Sequence, residues 1–488
     1  MRSATSSARG APTASASAAN RRAMDRHLAI VGFMGAGKTT LGEKAARRLR
    51  RPFVDLDTEI ERRTGSTIVD LFANGEAGFR SIEEEIAADV LQTPVPSVLA
   101  LGGGAVLSPA TRAMLAERAI TVLVDVDPGR AWSRVEGAGR PLTQDRARFF
   151  ALYAERQPVY DEVADARARD VDDVVLAAAG VHVERGALQR LGALVPGDGP
   201  AALVSDAKVA GIHGADAQLS LGSRLASTHE LPRGEDAKTV VAVERLWNEL
   251  TLPRRGTLVA LGGGCTTDAG GFVAATYLRG VPWVPVPSSL VGQVDAAIGG
   301  KTAIDLPAGK NLVGAFHWPA RVVIDPALLE TLPAEQRREG MAEVVKTGLL
   351  AGDALWELPD DELVRRCAAF KAAVVLRDPL EQGERAMLNL GHTFAHALEA
   401  AAGYEEVSHG RAVALGLLAA LRLSGRSTDV VEGVLAPKPV RVDRDRAWAA
   451  LRRDKKTGLV LLGDDGPRWD VQVPEADVRA ALDELIAR

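Results

Sequence analysis

Residues 32–39, GFMGAGKT, constrain this chain more than any other stretch, because the apolar run LAIV precedes them and the helix-forming TTLGEKAARRL follows. A glycine-rich turn between strand and helix, closed by Lys-Thr, has the spacing G-x4-G-K-T of a phosphate-binding loop. Such a loop works only where a strand hands the chain to a helix N-terminus, whose free N–H groups converge on an anion, so this segment is expected to be α/β. Gly35, Gly37, Lys38, Thr39 and Thr40 are the candidate nucleotide contacts. Lys38 reaches the outer phosphates, and the Thr39 hydroxyl suits Mg²⁺. The loop alone does not choose between ATPase, GTPase and small-molecule kinase.

The acceptor has to be read from elsewhere. Asp55 and Asp57 close FVDLD, where strand alternation would turn them to one side, one toward a metal and the other toward an acceptor hydroxyl. Arg80 in AGFRSIEEE and Arg156 in YAERQPVY suit bidentate binding of a carboxylate. Gly102, Gly103 and Gly104 leave backbone open at the end of the strand SVLAL. With the further strand ITVLVDV, these elements predict a parallel, doubly wound sheet.

At 488 residues the chain exceeds one ordinary core and suggests two or three units. After the charged ADARARDVDD a new start, VHVERGALQRLGALV, leads to apolar strands AALVS, GTLVALGGG and VPWVPVP, and then to long Ala/Leu/Glu/Arg helical segments. We divide the chain into a tail at 1–25, a phosphate-loop nucleotide-kinase domain at 26–175, a Rossmann-like dinucleotide-binding α/β domain at 176–330 and an α-helical domain at 331–488. The tail has no acidic residue before Asp25. It resembles a targeting peptide superficially, but its polarity predicts disorder.

Gly262, Gly263 and Gly264, followed by Asp268, Gly270 and Gly271, form a turn that a pyrophosphate could approach, which by itself is weak support for dinucleotide binding. More weight comes from His392, His396 and His409, three of eight histidines within eighteen residues. Arg385, Asn389, His392 and His396 step by four, three and four, which predicts one polar helical face. A catalytic zinc site takes three protein ligands and keeps a position open. His392, His409 and a carboxylate could supply them, with Glu343 in GMAEVVKTG as the candidate and Lys346 one turn later on the same face.

Composition excludes other classes. No run of eighteen apolar residues could span a bilayer, and a net charge of −5 offers no footprint for nucleic acid. Cys265 and Cys367 are the only cysteines and lack metal-finger or redox spacing, which suits a reducing cytoplasm.

The motifs GFMGAGKTTLG, FVDLD, GFRSIE, LGGGAV, GRPL and ERQPVY, in that order, resemble shikimate kinase. The resemblance implies ATP and Mg²⁺, the latter held by Thr39 and Asp55. It implies shikimate held by Asp57, Arg80, Gly102, Gly103, Gly104 and Arg156, with Asp57 handling the attacking hydroxyl. Arg140 would be the lid arginine over the ATP phosphates, and Arg134 is the nearest candidate for an adenine contact.

From about residue 180, PRGEDAK, LGGGCTTDAGGFVAATYLRG, QVDAAIGGKTAID, GKNLVGAFHWP, GMAEVVK, ERAMLNLGHTFAHALEA, SHGRAVALG and DKK resemble 3-dehydroquinate synthase. That implies NAD⁺ contacts at Asp206, Glu235, Lys238, Gly263, Gly264, Asp268, Ser288, Ser289, Lys310 and Thr331. It implies Zn²⁺ or Co²⁺ on Glu343, His392 and His409. It also implies Asp295, Lys301, Asn311, Lys346, Lys371, Arg385, Asn389, His396 and Lys455 around 3-deoxy-D-arabino-heptulosonate 7-phosphate, with Arg279 reaching the phosphate of a neighbouring subunit in a homodimer. Ser288 and Ser289 stand where the family has paired threonines, Gln336 where an acid is usual and Lys208 where asparagine is usual, which bears on cofactor affinity. The rival readings are a polyol or glycerol dehydrogenase, which would not need Lys301, Lys371, Arg385 and Lys455 together, and a kinase half reduced to a nucleotide-sensing or dimer-supporting appendage.

Overall fold

The computed structural model describes residues 25–136, 145–403, 406–454 and 458–487. The tail as far as Met24, Arg140 and Lys455 lie outside the described residues.

Strands β1 (His27–Val31), β2 (Phe53–Asp55), β3 (Val98–Ala100), β4 (Ala119–Val124) and β5 (Ala166–Ala168) form a parallel sheet in the order β2-β3-β1-β4-β5. All five residues of β1 are buried, as expected for a central strand covered on both faces. The loop after β1 opens helix α1 (Lys38–Leu49), which buries Gly42, Ala45, Ala46 and Leu49 and ends at Arg50 in the left-handed region, φ 51°. Gly35 has φ 80°, and a Cβ there would sit 2.5 Å from the Ala131 carbonyl, so only glycine closes this turn.

β2 stops at Asp55, whose side chain caps helix α2 (Leu56–Thr64) by accepting from the Thr58 N–H. Asp57 therefore sits in the first turn of a helix, and the expectation that strand alternation pairs it with Asp55 is corrected. Helices α3 (Glu76–Leu91), α4 (Arg146–Val163) and α5 (Val171–Ala178) follow, and the chain turns at Gly180, φ 67°, into β6 (Val181–Val183).

β6 pairs in parallel with β13 (Val322–Ile324). Between them β7 (Ala201–Asp206), β8 (Leu225–Leu231), β9 (Thr257–Gly262) and β10 (Trp283–Pro287) form a second parallel sheet in the order β10-β9-β7-β8, with helix α6 (Gly264–Thr276) after β9. β11 (Lys301–Leu306) and β12 (Gly309–Phe316) make an antiparallel pair. The remainder is helical: α7 (Ala334–Ala351), α8 (Asp360–Arg377), α9 (His392–Ala401), α10 (His409–Leu423) and α11 (Arg444–Asp454), followed by the antiparallel pair β14 (Leu459–Gly463) and β15 (Gly466–Val471).

The predicted continuous face from Arg385 to His396 does not form. Arg385 and Asn389 lie in a separate short helical turn, Glu384–Asn389, and α9 starts afresh at His392 behind Gly391, φ 79°. A Cβ on Gly391 would lie 2.8 Å from the Leu417 backbone nitrogen, so the break is the point where the chain crosses the backbone of α10. Only His392 and His396 share α9.

The two sheets belong to units joined by one core. Leu28, Ala45, Leu49 and Val174 of the first unit pack in the same cluster as Leu363, Val364, Cys367 and Ala368 of α8. Each fully buried Leu or Val contributes roughly 1.5–3 kcal/mol, so this is a substantial seam.

Candidate active sites

In the first unit the Lys38 ammonium donates to the carbonyls of Gly32 at 2.9 Å and Phe33 at 3.1 Å. The Thr39 hydroxyl donates to Asp55 Oδ2 at 2.6 Å, which brings together the two groups expected at Mg²⁺. Arg134 lies over the same loop, donating to the Gly35 carbonyl at 3.0 Å.

The strand end at Gly102, Gly103 and Gly104 gathers the acceptor groups. A Cβ on Gly102 would meet Glu83 Oε1 at 2.6 Å and Asp57 Oδ1 at 3.0 Å, and one on Gly104 would meet Arg80 Nη1 at 2.1 Å. Arg80 pairs with Glu83 at 2.5 Å and with Glu76 at 3.2 Å. Burial pushes the Glu83 carboxyl up, with Arg80 opposing. Arg156 is buried and donates to the Gly103 carbonyl at 3.3 Å, while its Nε has no hydrogen-bond partner among the described residues. The Tyr160 hydroxyl donates to the same carbonyl at 2.5 Å, and burial raises its pKa to about 12, which keeps that donor protonated.

In the second unit β7, β9 and β10 end side by side, the usual ligand edge of a parallel sheet. Gly263 caps α6 without a side chain, leaving N–H groups free for a pyrophosphate alongside Gly264. Asp206, buried at the end of β7, accepts from the N–H groups of Lys208 and Val209. Ser288 N–H donates to the Gly262 carbonyl at 2.9 Å, and Ser289 Oγ accepts from Gly292 N–H at 3.2 Å.

Lys238 pairs with Asp268 at 3.1 Å and also holds Asn311 Oδ1, so Asn311 stands with the cofactor-side groups. Burial pushes the Asp268 carboxyl up to about 6 even against Lys238. Lys310 pairs with Glu235 at 2.8 Å, and Thr331 Oγ1 lies 2.8 Å from His213 Nε2.

Glu343, His392 and His409 each offer a ligand atom within 4.8 Å of the others. His409 Nε2 is 3.2 Å and His392 Nε2 3.5 Å from Glu343 Oε1. Burial favours the neutral carboxyl, but Lys346, His392 and His409 hold Glu343 well below its ordinary range. Lys346 forms an ion pair with Glu343, both nearly fully buried. Burial also lowers the His392 pKa, leaving a neutral imidazole. On its outer side His409 Nδ1 is 3.2 Å from Glu399 Oε1. Two imidazoles and one carboxylate on the donor side, with a carboxylate behind one ring, fit a divalent metal with an open position.

Beside this cluster Lys371 pairs with Asp295 Oδ1 at 2.8 Å and donates to the Asp295 carbonyl at 2.6 Å. Burial pushes the Lys371 ammonium down to about 8 despite Asp295. Lys301 pairs with Glu381, which also accepts from Asn389 Nδ2 at 3.2 Å. Buried Arg385 donates to the carbonyls of Pro379 at 2.8 Å and Gly299 at 3.2 Å. His396 meets His392 edge-on, 5.6 Å between ring centres. Arg279 is not brought to these groups. It is exposed beyond the far end of α6, at φ 63° after Leu278 at φ 50°.

Four site residues were not singled out from the sequence. Glu83 is three residues after Arg80, Tyr160 four after Arg156 and Glu399 three after His396, so helical spacing from a chosen residue would have found them. Glu381 carries no such signal, because a left-handed turn at φ 56° aims it.

Two chemistries on one chain define the class: a phosphate-loop small-molecule kinase ahead of an enzyme built on a dinucleotide-type fold with a metal-ligating cluster. Residues 34–180 match the family model of shikimate kinase. Residues 228–339 and 340–456 match those of the 3-dehydroquinate synthase N-terminal and C-terminal regions. The 3-dehydroquinate synthase of Bordetella pertussis is 39% identical over 341 residues, covering 62% of this chain and 95% of that protein. That of Symbiobacterium thermophilum is 41% identical over 313 residues, covering 57% and 87%. A crystal structure of 2-deoxy-scyllo-inosose synthase complexed with carbaglucose-6-phosphate, NAD⁺ and Co²⁺ superposes with a TM-score of 0.57 at 25% identity, covering 62% of this chain and 96% of that one. The chain belongs to the 3-dehydroquinate synthase family and carries a shikimate kinase domain ahead of it, so that two enzymes of aromatic-acid biosynthesis share one polypeptide. No helix among the described residues is long and apolar enough to cross a membrane.

Proposed function

We propose that shikimate phosphorylation and heptulosonate-phosphate cyclisation run in two separate pockets of this chain, with roles that the geometry above and the family resemblance support. In the kinase half Lys38 and the α1 N-terminus hold the ATP phosphates, and Thr39 with Asp55 holds Mg²⁺. Arg80 and Arg156 bind the shikimate carboxylate against the open backbone of Gly102, Gly103 and Gly104. Glu83 aims Arg80, and Tyr160 stiffens the Gly103 carbonyl. Asp57 takes the proton of the attacking hydroxyl as its oxygen bonds to the γ-phosphorus and the bond to the bridging oxygen breaks. Arg140 is assigned to the lid on resemblance alone.

In the synthase half Asp206, Glu235, Lys238, Gly263, Gly264, Asp268, Ser288, Ser289, Lys310 and Thr331 surround NAD⁺, and Glu343, His392 and His409 hold Zn²⁺ or Co²⁺. Bound together, these groups supply transient oxidation of a ring hydroxyl and polarisation of its oxygen, which makes the neighbouring C–H removable so that phosphate can leave. Lys301, Lys371 and Arg385 grip the carboxylate and phosphate of 3-deoxy-D-arabino-heptulosonate 7-phosphate, with Asn389 orienting its hydroxyls and Asn311 facing it from the cofactor side; Lys455 is assigned to the same grip on resemblance alone. Asp295 holds Lys371, Lys346 holds Glu343, and His396 handles protons beside the cluster. Arg279, on a strained exposed turn, supports a homodimer in which it reaches the partner's substrate. Two isolated thiols support a cytoplasmic setting.

The observation that carries this reading is the convergence of Glu343, His392 and His409 beside the Lys371–Asp295 pair. The test is to assay the full chain separately for phosphate release from the heptulosonate phosphate and for ATP-dependent phosphorylation of shikimate. Lys38→Ala should cut the second rate by roughly a hundredfold or more and spare the first, while His392→Ala does the reverse. A Lys38→Ala chain with full kinase activity would refute the phosphate-loop assignment.

A further inference from the structure

We infer that the kinase half is a positioning element for the synthase half: Arg50, at the end of α1, holds Glu384 and thereby the loop that presents Arg385 to substrate. The inference rests on the assignment of Arg385 to the synthase pocket.

Helix α8 is shared by both units. One part of it carries Lys371 toward Asp295, and another lies against the kinase, where Arg365 bonds Asp170 at 2.9 Å and Asp173 at 2.9 Å. At its last turn Arg377 donates to the Arg48 carbonyl of α1 at 2.6 Å and grips Glu384 with two N–H groups, at 2.6 and 3.2 Å. Arg50 donates at 2.6 Å to Oε2 of the same carboxylate, the oxygen that also accepts from Arg377 Nε. Glu384 is thus clamped between the two units, with only 11% of its side chain exposed.

Within residues 378–389 the regular structure is confined to the short helical turn Glu384–Asn389. Their shape depends on side-chain locks: Asp378 accepts from the N–H groups of Gln382, Gly383 and Arg385, and Glu384 takes the clamp just described. Glu381, Arg385 and Asn389, all at the synthase pocket, ride on this segment. The backbone of Arg50 is fixed, because its left-handed conformation closes α1, while 68% of its side chain is exposed. That helix starts at Lys38, so one rigid rod of ~18 Å runs from the phosphate loop to the synthase loop. An isolated pair with an arginine as exposed as Arg50 would be worth little, so the expected effect is on loop placement and is modest.

The test uses the full chain with R50E, R50A, R50K and E384Q, reading KM and kcat for phosphate release and, in the same preparations, for shikimate phosphorylation. R50E should raise KM for the heptulosonate phosphate roughly five- to tenfold and R50A roughly three- to fivefold, with kcat within about twofold and the kinase constants unchanged. R50K should return KM toward wild type, and R50A should add nothing to E384Q. Unchanged KM in R50E and R50A, independent effects of R50A and E384Q, or a parallel loss of both activities without a change in KM overturns the inference. Should R50E not accumulate, R50A carries the same comparison. Absence of phosphate release from the wild-type chain sinks the synthase assignment and this inference with it, whereas release with an unmoved KM in the variants sinks the inference alone.

Discussion

Glu399 is the residue whose removal tests the metal centre most directly, because it touches the cluster from behind without being a ligand. Its side chain is almost fully buried, and its Oε1 sits 3.2 Å from His409 Nδ1, while the Nε2 of that ring points at Glu343. Burial alone would raise the Glu399 carboxyl, but the contact with His409 holds it below its ordinary range. With metal bound, a carboxylate there keeps the ring proton on Nδ1, orients the imidazole and makes Nε2 a better donor. Such outer partners are worth about 10–100-fold in metal affinity, or ~1.4–2.8 kcal/mol.

The geometry further predicts a graded series. Glu399→Gln keeps an acceptor oxygen and loses the charge, so its Zn²⁺ or Co²⁺ affinity should fall about tenfold, whereas Glu399→Ala loses both and should approach a hundredfold. The assay is a competition titration of the metal-stripped full chain against a chromophoric chelator, with the kinase rate of a separate aliquot supplied with Mg²⁺ as a control for folding. A Glu399→Ala chain that binds metal as tightly as wild type, or a Gln variant weaker than the Ala one, refutes the role given to this carboxylate.

Three further expectations bear on other parts of the molecule. Lys371, with its ammonium pushed down to about 8, carries its charge below that pH and loses it above, so KM for the heptulosonate phosphate should climb on the alkaline side of about pH 8. Lys371→Arg should move that limb upward, and identical profiles would exclude Lys371 as the titrating cation. Arg365→Met strands the carboxylates of Asp170, Asp173 and Glu362 and should cost about 2 kcal/mol, read as a separation of kinase and synthase inactivation in a urea titration. Against the pull of burial Arg365 holds Asp170 low, and it holds Glu362 low as well, so this contribution is present above the ordinary carboxylate range and fades as pH falls through the depressed values; coincident inactivation at all pH values would argue against it. Arg279→Ala should lower synthase activity while leaving a dimer in light scattering, and mixing it with a pocket-dead Lys371→Ala chain should give one working site per mixed dimer. Failure of the mixture to regain activity counts against a residue supplied across the interface.

What could be read from the amino acids depended on whether a residue's neighbours were close in the chain. The phosphate loop was legible because one strand, one turn and one helix position every group in it, from Gly32 to Thr39. The pairing of Glu343 with Lys346 was legible for the same reason, being one turn of α7. The face from Arg385 to His396 was misread because periodicity assumes an unbroken helix, and Gly391 looks like any glycine until α10 is seen lying 2.8 Å from where its side chain would be. Asp57 was given a strand's alternation because the chain FVDLD does not reveal that Asp55 caps a helix. The clamp on Glu384 joins residues 334 apart, and no local pattern encodes it.

That last contact also bears on why two enzymes should be joined. The synthase half gives 3-dehydroquinate and the kinase half phosphorylates shikimate, so neither pocket's product is the other's substrate. The phosphate loop lies at the opposite end of α1 from the synthase contact, which offers no short path between the pockets. What the join does provide is rigidity. Between α5 and β6 there are only two residues, Ala179 and Gly180, and α8 gives the kinase a face to pack on while it carries Lys371. A linker this short limits the orientations each half can explore, and the Arg365 and Glu384 clamps select one of them. The physical consequence of fusion in this chain is therefore mechanical: the kinase core stiffens the back of the helix and loop that form one wall of the synthase pocket.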